Sequence, residues 1–269
     1  MPAISVTKCH GTGNDFVLLD DRVGNGVAYP ELARRLCDRR FGIGADGLLV
    51  LLRPHERTDG ERVDLGMRIF NADGGEAEMC GNGIRCVARY VARESGRDEP
   101  LAIETLAGIV RTQPVGERVR VQMGTPVLAS PLYTDVEFDG RVLRFACISM
   151  GNPHAVILVH EPPERFDLER LSAAVARAAS ARNGINVEIA NAGPRAISMR
   201  VQERGVGETL ACGTGASAVA VAAIVEARAK SPVEVEQRGG NVTIEWQGEG
   251  TPLFLTGSAE LVFDTTVTI

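Results

Sequence analysis

Two cysteines, Cys80 and Cys212, lie in stretches that are versions of each other. Residues 67–83 read MRIFNADGGEAEMCGNG and residues 199–215 read MRVQERGVGETLACGTG. They align without a gap at an offset of 132, with Met, Arg, Gly, Glu, Cys, Gly and Gly identical. Each ends in Cys-Gly-x-Gly and runs into a helical pattern, so each thiol is expected at a helix N-terminus. There the first backbone N–H groups lack intrahelical partners and the helix dipole favours negative charge. The flanking glycines let a ligand approach that backbone, and a carboxylate suits it. The same field lowers a thiol's pKa from its free value of about 8.5, giving a usable thiolate fraction. A lone cysteine is most often a small buried hydrophobe. A duplicated Cys-Gly-x-Gly pair is not accounted for that way. Two matched thiols in different surroundings point to proton chemistry on both faces of one carbon.

Polar residues recur in the same paired fashion. Asn14 in GTGNDF and Asn152 in MGNPH each precede an apolar strand, and Asn71 and Glu203 each stand nine residues before their cysteine. Asn186 opens the strand-like GINVE segment. Singly, such asparagines are ordinary turn or capping residues. Together, uncharged amides and one carboxylate read as a lining for a zwitterion. Arg204 beside Glu203 adds a planar fork for a carboxylate. His154 is placed to orient a thiol or a substrate amine, with a satisfied structural histidine as the plainer reading. Cys9, Cys37, Cys86 and Cys147 have no duplicated partner and read as structural thiols.

Composition narrows the class. A net charge of −6 and a pI near 5.4 argue against nucleic-acid binding. No C-x-x-C pair or Cys/His cluster with zinc spacing occurs, so no metal is expected. No charged-then-apolar leader is visible in MPAISVTKCHG, and the longest apolar run, Ala216–Val225, is too short to cross a bilayer. A soluble cytoplasmic protein with a small-molecule substrate and no membrane partner is the expectation. Only Lys8 and Lys230 stand against 27 arginines, which leaves pyridoxal phosphate without a convincing Schiff-base lysine. Lys230 reads as the solvated end of a helix stopped by Pro232. Gly42-Ile-Gly-Ala-Asp-Gly47 matches a dinucleotide fingerprint, but a helix precedes it and a strand follows. That is the reverse of the required order, so it reads as a helix-to-strand turn. No cofactor is expected.

Strands are predicted at 16–20, 48–52, 118–123, 142–148, 155–159, 187–190, 242–246 and 261–269, and helices at 30–39, 83–94, 167–182 and 215–230. Strands outnumber helices and do not alternate with them strictly, so the fold class is α+β. ASAVAVAAIVEA is apolar on every side and must be enclosed. Met123-Gly-Thr-Pro126 marks the boundary between two halves.

With these residues assembled, the chain resembles the diaminopimelate epimerase family. The matching stretches are HGTGNDFVLLD, RRFGIGADGLL, MRIFNADGGEAEMCGNGIRC, MGNPHAVI, NGINVE and VQERGVGETLACGTGASA, in family order. The related proline racemases typically carry a histidine where this chain has Asn82, and some family members carry glutamine where Gly47 stands. The resemblance implies two pseudo-symmetric domains from an internal duplication, each a curved, barrel-like mixed sheet around a central helix. They would span residues 1–123 with 257–269 returning, carrying Cys80, and 124–256, carrying Cys212, with the active site in the cleft between them. It implies cofactor-independent interconversion of LL- and meso-diaminopimelate for lysine and peptidoglycan precursor synthesis. By this carry-over Cys80 and Cys212 are the acid/base pair. Asn14, Asn71, Asn152, Asn186, Glu203 and Arg204 grip substrate, backbone N–H groups of Gly81, Asn82, Gly213 and Thr214 bind the reacting carboxylate, and His154 supports the thiols. A homodimer is left as a candidate assembly. Two rivals stay open: a cofactor-free racemase for another amino acid, and a non-enzymatic thiol switch or amino-acid binder.

Overall fold

A period-2 apolar pattern makes β1 (Ala3–Gly11), which turns at Thr12 and Gly13 into the antiparallel β2 (Asn14–Asp20). The computed structural model describes residues 3–24, 26–55, 61–181, 184–193 and 195–268. The chain divides into two units, Met1–Val121 with Gly257–Ile269, and Gln122–Thr256.

In the first unit, α1 (Tyr29–Cys37) carries the chain to β3 (Gly47–Leu52), which pairs parallel with β2, as a parallel step requires a crossover. The antiparallel β4 (Leu65–Asn71) follows, then the short β5 (Glu76–Ala77) and α2 (Gly81–Ser95). A second parallel step leads to β6 (Leu101–Thr105), and β7 (Gly108–Val115) and β8 (Arg118–Gln122) complete a meander.

The second unit repeats this plan. The long β9 (Val127–Phe138) pairs with β10 (Arg141–Ser149), and β10 with β11 (Pro153–Val159). Helix α3 (Leu168–Ala178) crosses to the parallel β12 (Asn186–Ala192). The antiparallel β13 (Ala196–Glu203), β14 (Gly207–Thr209) and α4 (Gly213–Val225) follow. Then come β15 (Val233–Gln237), parallel to β13, and its antiparallel neighbour β16 (Gly240–Glu245). Strand β17 (Phe254–Ser258) carries the chain back, and β18 (Glu260–Thr268) pairs with β1 in the first unit.

Each unit therefore has one helix on each face of a mixed sheet. Leu32, Ala33 and Leu36 of α1 pack with Val17, Leu19, Leu48 and Val50. Leu168, Leu171 and Val175 of α3 do the same with Phe145, Ile157, Val187 and Ile189. On the other face α2 touches β1, β2, β3, β7 and β18, so the sheet curls around it. Helix α4 touches β10, β11, β12, β13, β15 and β16 and is buried continuously from Gly215 to Ala223. Its alanines and valines are small because a curled sheet leaves little radius. The architecture is α+β, two units of one topology, each a curved, barrel-like sheet around a central helix.

The predicted elements are present, with shifted ends. The helix predicted over 215–230 stops at Val225, so Lys230 lies beyond it as an exposed loop residue. The predicted ends Arg182 and Ile269 lie outside the described residues. Gly96 closes α2 in the left-handed conformation, φ 65°. The segment at 42–47 does turn from helix to strand: Gly44, at φ +81°, donates its N–H to the Leu36 carbonyl at 3.0 Å.

Candidate active site

The identities shared by the two stretches build the same scaffold twice. Arg68 on β4 makes a two-pronged contact with Glu76 on β5, at 2.6 and 2.7 Å. Arg200 on β13 repeats it with Glu208 on β14, at 2.8 and 2.9 Å. Planar guanidinium–carboxylate pairing fixes both hairpins and so the path into each cysteine. Each cysteine then occupies the N-cap of its helix with extended φ/ψ, and its carbonyl accepts the first helical bond, from Ile84 N–H or Ala216 N–H, at 2.9 Å in each. The first-turn N–H groups of Gly81, Asn82, Gly213 and Thr214 thus lie where helix geometry supplies no internal acceptor.

The last glycine of each motif is required by packing. A Cβ on Gly83 would stand 2.8 Å from Leu49 Cδ2, and one on Gly215 would stand 2.7 Å from Glu188 Oε1. Leu49 and Glu188 are topological equivalents, each two residues after the start of the strand beneath its helix.

Around the half-buried Cys80, the thiol donates to Asn14 Oδ1 at 3.7 Å, and Asn82 Nδ2 donates to the same oxygen at 3.2 Å. The Asn14 amide is oriented from behind, since its Nδ2 donates to Asp46 Oδ2 at 2.8 Å. Asp46 belongs to a charged cluster with Arg39, Asp15 and Lys8. Burial alone would raise the Asp15 carboxyl, but bonds from Arg39 and Lys8 override it and hold it at about 2. Asn71 ends β4 and is exposed.

Around Cys212, Sγ accepts from Gly215 N–H at 3.4 Å and lies 3.4 Å from Thr214 Oγ1. Asn152 Nδ2 donates to that hydroxyl at 3.4 Å, and His154 Nε2 contacts Asn152 Oδ1 at 3.0 Å. His154 Nδ1 meets Glu188 Oε1 at 2.7 Å, with both side chains wholly buried. Burial pushes the Cys212 thiol well up, and the Glu203 and Glu188 carboxylates add to that, while Thr214 and Gly215 N–H pull it back. Burial likewise raises Glu203, against a bond from Thr209 Oγ1 at 2.5 Å.

The second unit thus gathers Cys212, Asn152, His154, Glu203 and Thr214 into one cluster, and the first gathers Cys80, Asn14 and Asn82. Asn186 serves backbone: its Nδ2 donates to Pro153 carbonyl at 3.1 Å and its Oδ1 accepts from Arg204 N–H at 2.9 Å. Arg204 is exposed, its stem lying on Gly184, where a Cβ would stand 2.8 Å from Arg204 Cγ. Gly47 opens β3 where Asn186 opens β12, and a side chain there would meet the Phe70 carbonyl at 2.8 Å. Sequence reasoning missed Asp46 and Glu188. The signal for the second was an acid inside the apolar run INVEIA. Lys8, the one remaining candidate for a Schiff base, is tied to Asp15 and the Gly44 carbonyl. Among the described residues no three His, Cys, Asp or Glu side chains converge as metal ligands.

The profile of the diaminopimelate epimerase family matches residues 6–129 and 146–262. The diaminopimelate epimerase of Desulfitobacterium hafniense is 44% identical over 97% of this chain and 96% of its own length. That of Carboxydothermus hydrogenoformans is 42% identical over 95% of this chain and 96% of its own. The fold is shared with a Bacillus anthracis phenazine biosynthesis protein of the PhzF family, TM-score 0.72 at 20% identity, covering 100% of both chains. It is shared too with an Agrobacterium vitis hydroxyproline epimerase, TM-score 0.71 at 16% identity, covering 98% of this chain and 92% of that one. On this evidence the chain belongs to the diaminopimelate epimerase family.

Proposed function

We propose that this protein interconverts LL- and meso-diaminopimelate by two-base proton transfer between Cys80 and Cys212, without metal or pyridoxal phosphate. The observation that carries the reading is the pair of N-cap cysteines on topologically equivalent helices, α2 and α4, in a chain of this family. An amino-acid α-proton is far less acidic than a thiol, so the carbanion must be stabilised as it forms. Two helix N-termini directed at the α-carboxylate supply that stabilisation where charge develops. One sulfur, as thiolate, takes the proton from one face of the carbon, and the other, as thiol, delivers one to the opposite face. The roles exchange with the stereochemistry of the substrate.

Burial and Glu203 hold Cys212 as the thiol, which suits it to begin as the acid. The Gly215 N–H and Thr214 hydroxyl then receive the negative charge when the proton leaves. The remaining polar residues divide between the ends of the substrate. Backbone N–H groups of Gly81, Asn82, Gly213 and Thr214 hold the reacting carboxylate, with His154 in support. Asn14, Asn71, Asn152, Glu203 and Arg204 hold the amines and the distant carboxylate. Asn186 acts by fixing the backbone of Arg204. Lysine and cell-wall precursor synthesis is the metabolic setting, and a cytoplasmic homodimer the assembly. The test is epimerisation of LL-diaminopimelate by chelator-treated enzyme with no added cofactor. Full activity supports the reading, and activity that appears only on adding a metal or pyridoxal phosphate contradicts it.

A further inference from the structure

Glu188, buried behind Cys212 and paired with His154, has no role in that scheme as it stands. His154 and Glu188 are both fully buried, and Glu188 Oε2 has no hydrogen-bond partner among the described residues. A bare Glu188 carboxylate would push the Cys212 thiol up, but a buried carboxylate with an unsatisfied oxygen is costly, so the pair carries no net charge and the His154 proton cancels that repulsion. Its hydrogen bonds run in one direction. Asn152 spends its N–H on Thr214 Oγ1, which leaves its carbonyl oxygen to accept from His154 Nε2–H. With Nε2 protonated, the 2.7 Å contact between Nδ1 and Glu188 Oε1 holds one proton shared between acid and imidazole. At the other end Thr214 Oγ1 accepts from Asn152, so its own hydrogen is free for Cys212 Sγ at 3.4 Å.

We propose that Glu188 is a positioning residue for Cys212: through His154, Asn152 and Thr214 it fixes a hydroxyl hydrogen on the Cys212 sulfur. The inference rests on Cys212 being one of the two reacting thiols. The first unit supplies the control, because Leu49 holds the place of Glu188 and Phe16 that of His154. Besides Glu188 and His154, the ionisable group facing Cys212 is Glu203 on β13, which every variant below retains.

The test is the rate at which iodoacetamide alkylates Cys212 at a fixed pH below its midpoint, mapped by peptide, with Cys80 in the same sample as reference. Below the midpoint this rate follows the thiolate fraction. Glu188→Leu breaks the chain without changing net charge and should slow Cys212 by about tenfold, one pH unit. Glu188→Gln retains a donor to Nδ1 and should restore the rate. If Glu188 were instead a lone carboxylate repelling the thiolate, both variants would speed alkylation, which overturns the proposal. An unchanged rate in Glu188→Leu, or a Glu188→Gln rate as slow as Glu188→Leu, does so as well. If Glu188→Leu does not fold, the Glu188→Gln rate and the ¹⁵N shifts of His154 decide. The proposal requires the Nε2–H form, and a neutral ring protonated at Nδ1 contradicts it. Alkylation reads a thiol and not turnover, so failure here leaves the epimerase reading to its own test.

Discussion

Behind Cys80 the strands present Phe16 and Leu49; behind Cys212 they present His154 and Glu188 at the equivalent places. The backbone is the same in both, down to the hairpin ion pairs and the closely packed last glycine of each motif. The side-chain layer beneath the thiols differs completely. Five residues past each cysteine the contrast continues. Arg85, fully buried, donates to the Ser258 and Gly81 carbonyls and the Thr12 hydroxyl at 3.0 to 3.1 Å. Its counterpart Ser217 donates to the Gly213 carbonyl at 2.9 Å. A buried cation thus lies behind Cys80, and a buried acid–imidazole pair behind Cys212. What the two motifs share aims a helix N-terminus, and what they do not share is the set of polar and charged groups behind each sulfur. The proposed two-base scheme, in which the two thiols start in opposite roles, calls for such a difference.

The comparison breaks first at the sulfurs. Cys80→Ser and Cys212→Ser should each lower kcat by about 10²–10⁴-fold, because a serine hydroxyl is too weak an acid to ionise near neutral pH. Cys86→Ser, a buried thiol outside both motifs, should keep most of its activity while losing thermal stability. Cys86→Ser as inactive as the other two would undo the assignment by duplication.

The last glycines of the two motifs give a sharper contrast. Gly215→Ala drives a methyl onto Glu188 Oε1, which is held by His154, and should lower kcat/KM by roughly 10- to 100-fold. Gly83→Ala meets the free end of Leu49, which can turn aside, and should cost only a few-fold. Equal losses would mean that the layer beneath the helix does not distinguish the two sites. Arg204→Lys keeps the charge but loses the planar fork, so KM for diaminopimelate should rise by about tenfold with kcat little changed. An unchanged KM would remove Arg204 from the substrate.

A smaller effect concerns acid stability in the first unit. Asp15 titrates at about 2 in the fold against 3.8 ordinarily. Its folded pKa is depressed, so the stability it contributes is present above 3.8 and lost as pH falls toward 2. Melting curves across that range should flatten in Asp15→Asn, and an unaltered slope would mean that the Arg39 and Lys8 contacts contribute nothing.

Much of this was readable in the sequence, for definite reasons. The Cys-Gly-x-Gly repeat, Asn14, Asn152 and the all-apolar α4 are local patterns, and local geometry decides them. Glu188 and Arg85 leave only an ambiguous signal. In INVEIA and IRCVARYVARE a single charged residue looks like the solvent face of an amphipathic element. Only the curl of the sheet and the packing of the glycines close over them. The pairing of β1 with β18 joins the two ends of the chain, a contact no local pattern carries, and was reached only through the family resemblance. Nor does the sequence show that the Asn186 amide is engaged on both sides by backbone, at the Pro153 carbonyl and the Arg204 N–H.

The central claim is that two different sulfurs handle the proton. It is tested most directly by running LL-diaminopimelate in D₂O to low conversion and locating deuterium in product and recovered substrate. Two-base transfer predicts meso product carrying one solvent deuterium at the inverted carbon, while the remaining LL substrate is still protiated. Product that retains the substrate's own hydrogen at that carbon would show one base serving both faces, and would contradict the account.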